Sequence, residues 1–365
     1  MKNSQVNIRS ECVLWGCLFV FTPLAPLFLY STPVFAEEES RLYSTREEKR
    51  EAGVKHEITP WLILTSLAEI EGEWKRFGLE NTDESDIQRN NSGTLQLGFD
   101  VLPFEWAKVE LLTEYDTDTN DWILDEATIA LEKDSLELVT GLQALDFGVY
   151  YSHFATGPIL EFGETIDYGV TVAYNHEDVF DITASLYRGD ARHVNSKDSL
   201  DWMVAIEAWP VDYFSFGFSI ISDLADSEAR FLDDTGNRYE RKVPAMSGYL
   251  LWVAEQYEVS LEALGALRSF SELDGDRDQP VAWNLEFVHF ISPVIDWSLR
   301  IEGSYEVEDE PGYQFGLALN YRLHENIVLT TEALYGLYRD DLATDVNHRN
   351  YDSVTTFGGL ISIAF

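Results

Sequence analysis

The sequence predicts an all-β fold, a transmembrane antiparallel β-barrel of about 16 strands. Three observations predict it. Segments along most of the chain alternate between apolar and polar residues with a period of two, and the polar face carries many charges. The connections between these segments alternate between short turns and longer loops. The chain ends in a period-two segment, SVTTFGGLISIAF, whose last residue is aromatic.

The composition narrows the function classes. Of the 365 residues, 65 are acidic and 25 are basic, which gives a formal charge of -40. Nucleic acid is excluded as a partner, because a polyanion needs a basic surface. A disordered acidic chain is excluded as well, because 45% of the residues are hydrophobic and 13% are aromatic.

Residues 1–36 are typical of a cleaved secretory signal peptide. Lys2 and Arg9 precede the apolar run CVLWGCLFVFTPLAPLFLYS, and TPVFA supplies a small-residue cleavage site after Ala36. A single membrane anchor and a lipoprotein acylated at Cys17 are the alternatives. Both cysteines lie in this segment, so we expect a mature chain with no disulfide and no thiolate metal site.

A charged leader over residues 37–57, EEESRLYSTREEKREAGVKHE, is predicted to lie in the periplasm before a barrel over residues 58–365. The leader lacks an apolar stripe, so we expect it to be disordered or to form a short helix, with a plug of the barrel as the alternative. After the signal peptide no run of about 18 apolar residues occurs, so no membrane-spanning helix is predicted.

The alternation is clear within single strands. In WLILTSLAEIEGEW, Leu62, Leu64 and Ile70 lie on one face, and Glu69 and Glu71 lie on the other. A barrel with lipid outside and water inside requires two such faces. The predicted strands cover residues 61–76, 93–102, 106–116, 122–132, 136–145, 166–175, 179–188, 200–209, 213–222, 244–254, 257–268, 281–290, 296–305, 313–322, 327–338 and 354–365.

The connections provide an independent test of this topology. If both termini are periplasmic, every short turn falls on the periplasmic side and every longer loop on the other side. Aromatic residues flank the short turns, as expected of rings at a membrane interface. These residues are Trp61, Phe104, Trp106, Trp209, Tyr213, Tyr257, Phe290, Trp297 and Tyr321.

The C-terminal segment is explained by closure of the barrel. The last strand must pair with the first, because an open sheet edge in lipid leaves backbone groups without partners. Phe365 is expected at the periplasmic interface. A terminal aromatic residue of this kind is similar to the signal that the barrel-assembly machinery reads in outer-membrane proteins.

The faces predicted to point inward carry many more acids than bases. A lumen lined by one sign of charge concentrates ions of the opposite sign, so we expect a preference for cations and neutral solutes. The clearest inward bases are Lys108, Arg268 and Arg300. The inward acids include the predicted pore-lining residues Glu69, Glu71, Asp100, Glu110, Glu114, Glu126 and Glu132, and also Glu73, Glu137, Glu207, Glu262, Glu286, Glu302 and Glu332.

The connection over residues 146–165, DFGVYYSHFATGPILEFGET, is a candidate constriction loop. Its rings would form an apolar patch on an outer surface, whereas folding inward would bury them against the barrel wall. Gly148, Gly157 and Pro158 would allow the sharp turns that this needs. The rings would then suit a planar solute, and the acids would narrow the lumen. A loop packed outside the pore is the alternative. The candidate residues are Asp146, Phe147, Tyr150, Tyr151, His153, Phe154, Glu161 and Glu164.

Neither a catalytic residue nor a metal or cofactor site is predicted. No GxSxG motif occurs, and none of the seven histidines has a metal-ligand spacing such as i, i+4. An acid–base pair of His153 with Asp146, Glu161 or Glu164 is the weak alternative, and an outer-membrane enzyme is therefore the least favoured class. An energised receptor is also disfavoured, because such barrels have about 22 strands and a plug domain.

Six segments, spread in order over most of the mature chain, together resemble the LbtU-type siderophore porins, a family of bacterial outer-membrane β-barrels. The segments are LDEATIALE (124–132), LVTGLQALDFG (138–148), GETIDYGVTVAY (163–174), SDLADSEA (222–229), PVAWNLEFVHF (280–290) and HENIVLTTEALYGLYRDD (324–341).

This resemblance implies a plug-less, non-energised porin that passes iron–siderophore complexes through the outer membrane. The expected partners are the outer-membrane lipid, lipopolysaccharide, the barrel-assembly machinery and a small solute such as a ferric siderophore. The alternative is a structural or adhesive barrel that uses its acidic surface loops. The identity of the solute, the openness of the lumen and the oligomeric state stay open.

Overall fold

The structure, a computed structural model, describes residues 55–80, 84–176, 179–191, 193–194, 200–229, 231, 238–273, 278–339, 343 and 349–365. The predicted signal peptide and nearly all of the predicted leader lie outside these ranges, so both stay predictions. Within the described ranges, no helix is long and apolar enough to cross a membrane.

The expected fold class is confirmed, because the strands form one closed antiparallel barrel. Each strand from the second to the seventeenth pairs with its sequence neighbours, and the last pairs with the second, which closes a ring of sixteen. Two short 3-10 helices, Ile159–Gly163 and Leu224–Asp226, lie in connections. The strands are β1 (His56–Thr59), β2 (Leu62–Leu79), β3 (Ser85–Phe104), β4 (Ala107–Asp116), β5 (Asp121–Lys133), β6 (Leu136–Ala144), β7 (Ile166–His176), β8 (Phe180–Arg188), β9 (Asp201–Val211), β10 (Phe214–Ile221), β11 (Ala245–Val253), β12 (Tyr257–Ala266), β13 (Val281–Ser292), β14 (Ile295–Tyr305), β15 (Tyr313–His324), β16 (Ile327–Leu337) and β17 (Tyr351–Ala364).

Strand ends agree with the sequence predictions to within three residues, with one exception. The β3 strand begins at Ser85 instead of residue 93, so the predicted loop over 77–92 is mostly a β-hairpin. Residues 85–91 are exposed on both faces, and period-two reading fails where neither face is buried. The short β1, which pairs with the start of β2, was not predicted either.

The apolar faces of the strands point out of the ring. On β15, Phe315, Leu317 and Leu319 are 49%, 52% and 47% exposed, whereas the intervening Gly316 and Ala318 are buried. Because successive side chains of a strand point to opposite faces, the exposed rows identify the outer surface and the buried rows the interior. The outer surface of this barrel is therefore a broad apolar band.

The predicted alternation of connections is present. Turns of a few residues join β3 to β4, β5 to β6 and each later odd–even pair, and the longer connections all lie at the opposite end. We call the two ends the turn end and the loop end. Phe365 lies at the turn end, where its backbone N–H donates to the carbonyl of Ser66 at 3.1 Å.

Most aromatic residues that flank the turns are exposed, as an interfacial belt requires. Phe104 and Trp106 are 58% and 54% exposed and stack with a centroid distance of 5.0 Å. Trp209 and Phe290 differ from the prediction, because both are half-buried. Trp209 packs on the buried Leu251 and Val253, and the centroid of the Phe290 ring lies 5.9 Å from that of His153. Both occupy inward positions of their strands, because Trp209 alternates with the same period as Glu207 on β9, and Phe290 with the same period as Glu286 on β13.

Candidate functional site

The connection between β6 and β7, which we call the inward segment (residues 145–165), begins with two left-handed backbone positions. Gly148 has a φ of +85° and Tyr150 a φ of +55°. The first was predicted as a flexible position, whereas the second is unusual for a bulky side chain. The base of the segment is closed by the hydrogen bond from the Leu145 N–H to the Thr165 carbonyl at 2.9 Å.

The far side of the inward segment binds four buried glutamates. Val149 and Tyr150 donate their backbone N–H groups to the two carboxylate oxygens of Glu262, at 2.7 and 2.9 Å. The remaining backbone donors are His153 to Glu286 at 2.8 Å, Ala155 and Thr156 to Glu332 at 2.8 and 3.2 Å, and Ile159 to Glu302 at 2.8 Å.

These contacts place the segment across the interior of the ring. The four glutamates lie on β12, β13, β14 and β16, whereas the segment starts and ends at β6 and β7. In a ring of sixteen strands, β13 is nearly opposite β6. The segment therefore spans the barrel and is bonded to the opposite wall.

Arg300 completes this attachment from the β14 strand. Its guanidinium donates to the Thr156 carbonyl at 2.8 Å, lies over the Phe154 ring at 4.3 Å and pairs with Glu302 at 2.9 Å. The side chain is 1% exposed. A buried cation needs anionic partners, so Arg300 and the glutamates stabilise each other's charges under the segment.

The rings of the segment pack against the wall. Phe147, Tyr150 and Leu160 belong to a buried cluster with residues of β8 to β13, and Phe154 packs on Ala318 and Leu334. Phe147, Tyr150 and Phe154 are 0%, 6% and 7% exposed, so their faces are not accessible to a solute. The expectation that these three rings stack on a solute is therefore wrong, because their burial is what holds the segment in place.

His153 and Tyr151 face a different group of acids. The His153 ring contacts the Tyr151 hydroxyl at 2.7 Å, Glu258 at 3.4 Å and Asp296 at 3.3 Å. Burial alone lowers the pKa of His153, but hydrogen bonds to Asp296 and Glu258 more than compensate and raise it to about 10. The histidine is thus a structural cation that adds to the attachment of the segment.

The three acids predicted to narrow the lumen lie at the two ends of the segment. Asp146 and Glu161 are half-buried, and Glu164 is exposed. The backbone N–H of Glu164 donates to the Glu161 carbonyl at 2.9 Å, which caps the 3-10 helix. Asp146 and Glu164 adjoin the hydrogen bond between Leu145 and Thr165 that closes the base of the segment, and the expectation that the three acids narrow the lumen stays a prediction.

The predicted pore-lining acids lie on β2 to β5, in the part of the ring that we call the β2–β6 wall. Their positions alternate with exposed apolar residues, so they face the interior. Asp100 and Glu110 are cross-strand partners, with the Lys108 ammonium 3.3 Å from each. Glu132, near the turn end, is exposed, and Asp100 is buried. The other predicted pore-lining acids are half-buried: Glu69, Glu71, Glu110, Glu114 and Glu126.

The interior acids therefore divide into two groups that the sequence does not distinguish. Glu262, Glu286, Glu302 and Glu332 were predicted as lumen acids, yet they are at most 5% exposed and bind the segment. Among the described residues, no backbone hydrogen bond from the segment reaches Glu69, Glu110 or Glu114. No local signal separates the groups, because both occupy inward positions of amphipathic strands.

Comparison with known proteins supports the fold. No protein-family profile matches this chain, and no curated protein sequence matches it either. Among solved structures, the outer membrane channel DcaP of Acinetobacter baumannii is similar with a TM-score of 0.56 at 15% identity, covering 86% of this chain and 100% of that chain.

Two other porins are similar at the same level. An anion-selective porin from Comamonas acidovorans has a TM-score of 0.58 at 10% identity, with 83% and 100% of the two chains covered. OprB of Pseudomonas putida has a TM-score of 0.57 at 12% identity, with 91% and 100% covered. The fold is thus that of the sixteen-stranded, porin-like β-barrels.

Proposed function

We propose that this protein is a channel of the bacterial outer membrane that passes small solutes, with the inward segment as its constriction. The observation that carries the proposal is the attachment of the segment to Glu262, Glu286, Glu302 and Glu332 on the opposite wall. A segment held across a lumen by buried charged groups reduces the open cross-section, and it does so with a defined shape.

The membrane placement is supported by the apolar outer surface and its aromatic belt. The barrel has no lipid-facing open edge, since β17 pairs with β2 along most of its length. With the predicted signal peptide and the terminal Phe365, these features fit export and insertion by the barrel-assembly machinery. Lipid and lipopolysaccharide are then the surroundings of the barrel.

We propose that the charge selectivity of the channel comes from the β2–β6 wall. Its acids, with Lys108 as a partner for Asp100 and Glu110, give this half of the lumen an excess of negative charge. Cations and neutral solutes are therefore favoured over small anions. The acids under the segment contribute little to this preference, because they are already bound to N–H donors and to Arg300.

The solute we propose is a ferric siderophore, on the basis of the resemblance to LbtU-type porins. Because Phe147, Tyr150 and Phe154 are buried, recognition falls to polar groups and to the half-buried Tyr151 and Phe162. Because the acidic wall disfavours anions, liposomes containing the barrel are expected to take up a neutral ferric tris-hydroxamate faster than an anionic ferric tris-catecholate of similar size. Equal exclusion of both would contradict the siderophore but not the channel.

The channel is tested by conductance in a planar bilayer. Deleting residues 150–160 is expected to increase single-channel conductance clearly, because it removes the part bonded to the far wall. Deleting residues 118–119, in the exposed β4–β5 turn, is the control and should leave conductance unchanged. An intact barrel that never conducts, with or without the segment, would favour the structural or adhesive alternative.

A further inference from the structure

Three buried aspartates meet at the loop end of the barrel, away from the attachment of the inward segment. Asp201 begins β9, and Asp223 and Asp226 flank and end the 3-10 helix after β10. They are 1%, 0% and 5% exposed. One carboxylate oxygen of each lies within 4.8 Å of the others.

Local hydrogen bonds fix two of these carboxylates. Asp223 caps its 3-10 helix by accepting from the Ala225 N–H at 3.2 Å, and the same oxygen accepts from Val243 at 3.0 Å. Asp201 accepts from the Ser222 hydroxyl at 2.7 Å and from the Lys242 ammonium at 2.6 Å. The arrangement is therefore built by the fold and does not depend on a flexible surface side chain.

Asp226 is only half satisfied. Its Oδ1 accepts from the Ala191 N–H at 3.0 Å, whereas its Oδ2 is buried with no hydrogen-bond partner among the described residues. Burial, and then the charges of Asp223 and Asp201, raise the pKa of Asp226 to about 8. Two basic side chains lie at the cluster: Lys242 pairs with Asp201, and His193 contacts Asp223 at 2.6 Å.

A separate observation indicates a ligand at this cluster. Tyr187 is 1% exposed, and its hydroxyl has no hydrogen-bond partner within the described part of the chain. It is the cross-strand partner of Asp201, so both side chains are on the inner face. Ser222 lies beside this hydroxyl without forming a hydrogen bond of normal geometry to it, and Ser222 itself donates to Asp201 at 2.7 Å, so the phenol is next to the cluster. A buried hydroxyl without a partner is uncommon in proteins.

We propose that Asp201, Asp223 and Asp226 bind a divalent cation, with Tyr187 beside it. Carboxylate oxygens are the ligands of hard cations, and Ca²⁺ accepts irregular sets of them completed by water. The ion would satisfy the free oxygen of Asp226 and offset the excess of negative charge. Its position would join the β8–β9 connection, through Ala191 and His193, to the β10–β11 connection.

This site is independent of the proposed channel function and is tested by binding. The refolded, EDTA-treated full-length barrel in detergent is titrated with Tb³⁺, using tyrosine-sensitised luminescence, and then with Ca²⁺ or Mg²⁺ as competitor. One saturable site is expected, and Asp226→Asn should weaken binding at least tenfold. Asp118→Asn, an exposed acid at the β4–β5 turn, is the matched control and should bind as the unmodified protein does.

Thermal unfolding gives a second measurement that does not depend on luminescence. Ca²⁺ is expected to raise the Tm of the unmodified protein and of Asp118→Asn, but not that of Asp226→Asn. Tyr187→Phe should reduce the luminescence at saturating Tb³⁺. Absence of saturable binding to the unmodified protein, or equal binding by Asp226→Asn, would overturn the site. A third result would also overturn the site: Asp226→Asn has a higher Tm than the unmodified protein, and Ca²⁺ changes the Tm of neither. Protonation of Asp226, and not a bound cation, would then relieve the repulsion between the three carboxylates.

Discussion

Replacing Glu332 by Gln is expected to loosen the inward segment without unfolding the barrel. The carboxylate accepts three hydrogen bonds from the segment, from the backbone N–H groups of Ala155 and Thr156 and from the Thr156 hydroxyl. Glutamine has nearly the same shape, but it is neutral and has only one acceptor oxygen. The substitution therefore changes the contacts between segment and wall and leaves the strand pairing of β16 in place.

The magnitude follows from these three bonds. If the amide oxygen takes the position of Oε2, the two backbone bonds persist as neutral bonds, and the hydroxyl faces an NH₂ group. Hydrogen bonds to charged groups are worth about 1.5–3 kcal/mol and neutral ones about 0.5–1.5 kcal/mol. Water can replace part of the lost hydrogen bonding, so we expect the substitution to weaken the attachment of the segment by about 2 kcal/mol. This raises the equilibrium constant for detachment of the segment roughly 30-fold.

Hydrogen exchange at the Ala155 and Thr156 amides measures this shift directly, because exchange requires that the segment detach. Exchange of both is expected to accelerate roughly 30-fold in Glu332→Gln. Glu69→Gln is the matched control, because Glu69 is an interior acid bonded to Ser362 on the opposite side of the closure. Unchanged protection in Glu332→Gln would refute the view that the glutamates hold the segment.

Three further predictions concern the wall, the histidine and the first turn of the segment. Replacing Glu110, Glu114 and Glu126 together by Gln should move the reversal potential in a KCl gradient toward zero. Anion preference of the unmodified channel would contradict the electrostatic argument. Because the pKa of His153 is raised from 6.5 to about 10, its contribution is fully present below pH 6.5 and is lost as the pH rises to about 10. Detachment of the segment should thus increase over this pH range in the unmodified protein, and much less in His153→Gln. The measurement is hydrogen exchange of the segment's amides, corrected for the intrinsic exchange rate at each pH. Gly148→Ala should speed exchange of the segment by an amount corresponding to about 1 kcal/mol or more, since its φ is +85° and the new Cβ would lie 2.5 Å from the Tyr150 ring. Gly248→Ala is the control, because its nearest neighbour is 3.6 Å away, and equal effects of the two would argue against strain at Gly148.

The strands were predictable because each strand of this fold carries its own evidence. A lipid-facing side and a watery side impose a period of two on every strand, so β15 is readable from Phe315, Leu317 and Leu319 without its neighbours. The exceptions obey the same rule. The start of β3 has solvent on both faces, so local alternation does not report the environment there. Trp209 shares the inward face of β9 with Glu207, so alternation, and not its position beside a turn, predicts where it lies.

The candidate site was only partly predictable. The number of rings in residues 146–165 was reason enough to expect burial against the barrel wall, but not to decide which strands would bury them. Phe147 and Phe154 were read as surfaces for a solute, and packing with distant strands made them anchors. An aromatic residue in a loop looks the same in the sequence whether it contacts a solute or packs on the wall. Only the position of the opposite wall in the folded barrel distinguishes the two roles.

The sequence by itself determined the barrel, its strand order, the sides of its turns and the inward rows of acids, because these follow from local periodicity and chain order. Only the tertiary structure decided which acids stay on the lumen wall and which are covered. Glu332 and Glu110 are equivalent along their strands, yet closing the ring brings Glu332 opposite β6, where the segment's N–H groups reach it. The aspartate cluster has the same origin, since Asp201 and Asp226 meet only through the pairing of β9 with β10 and the fold of the connection beyond. Contacts between residues far apart in the chain depend on closure and packing, and no local pattern encodes them.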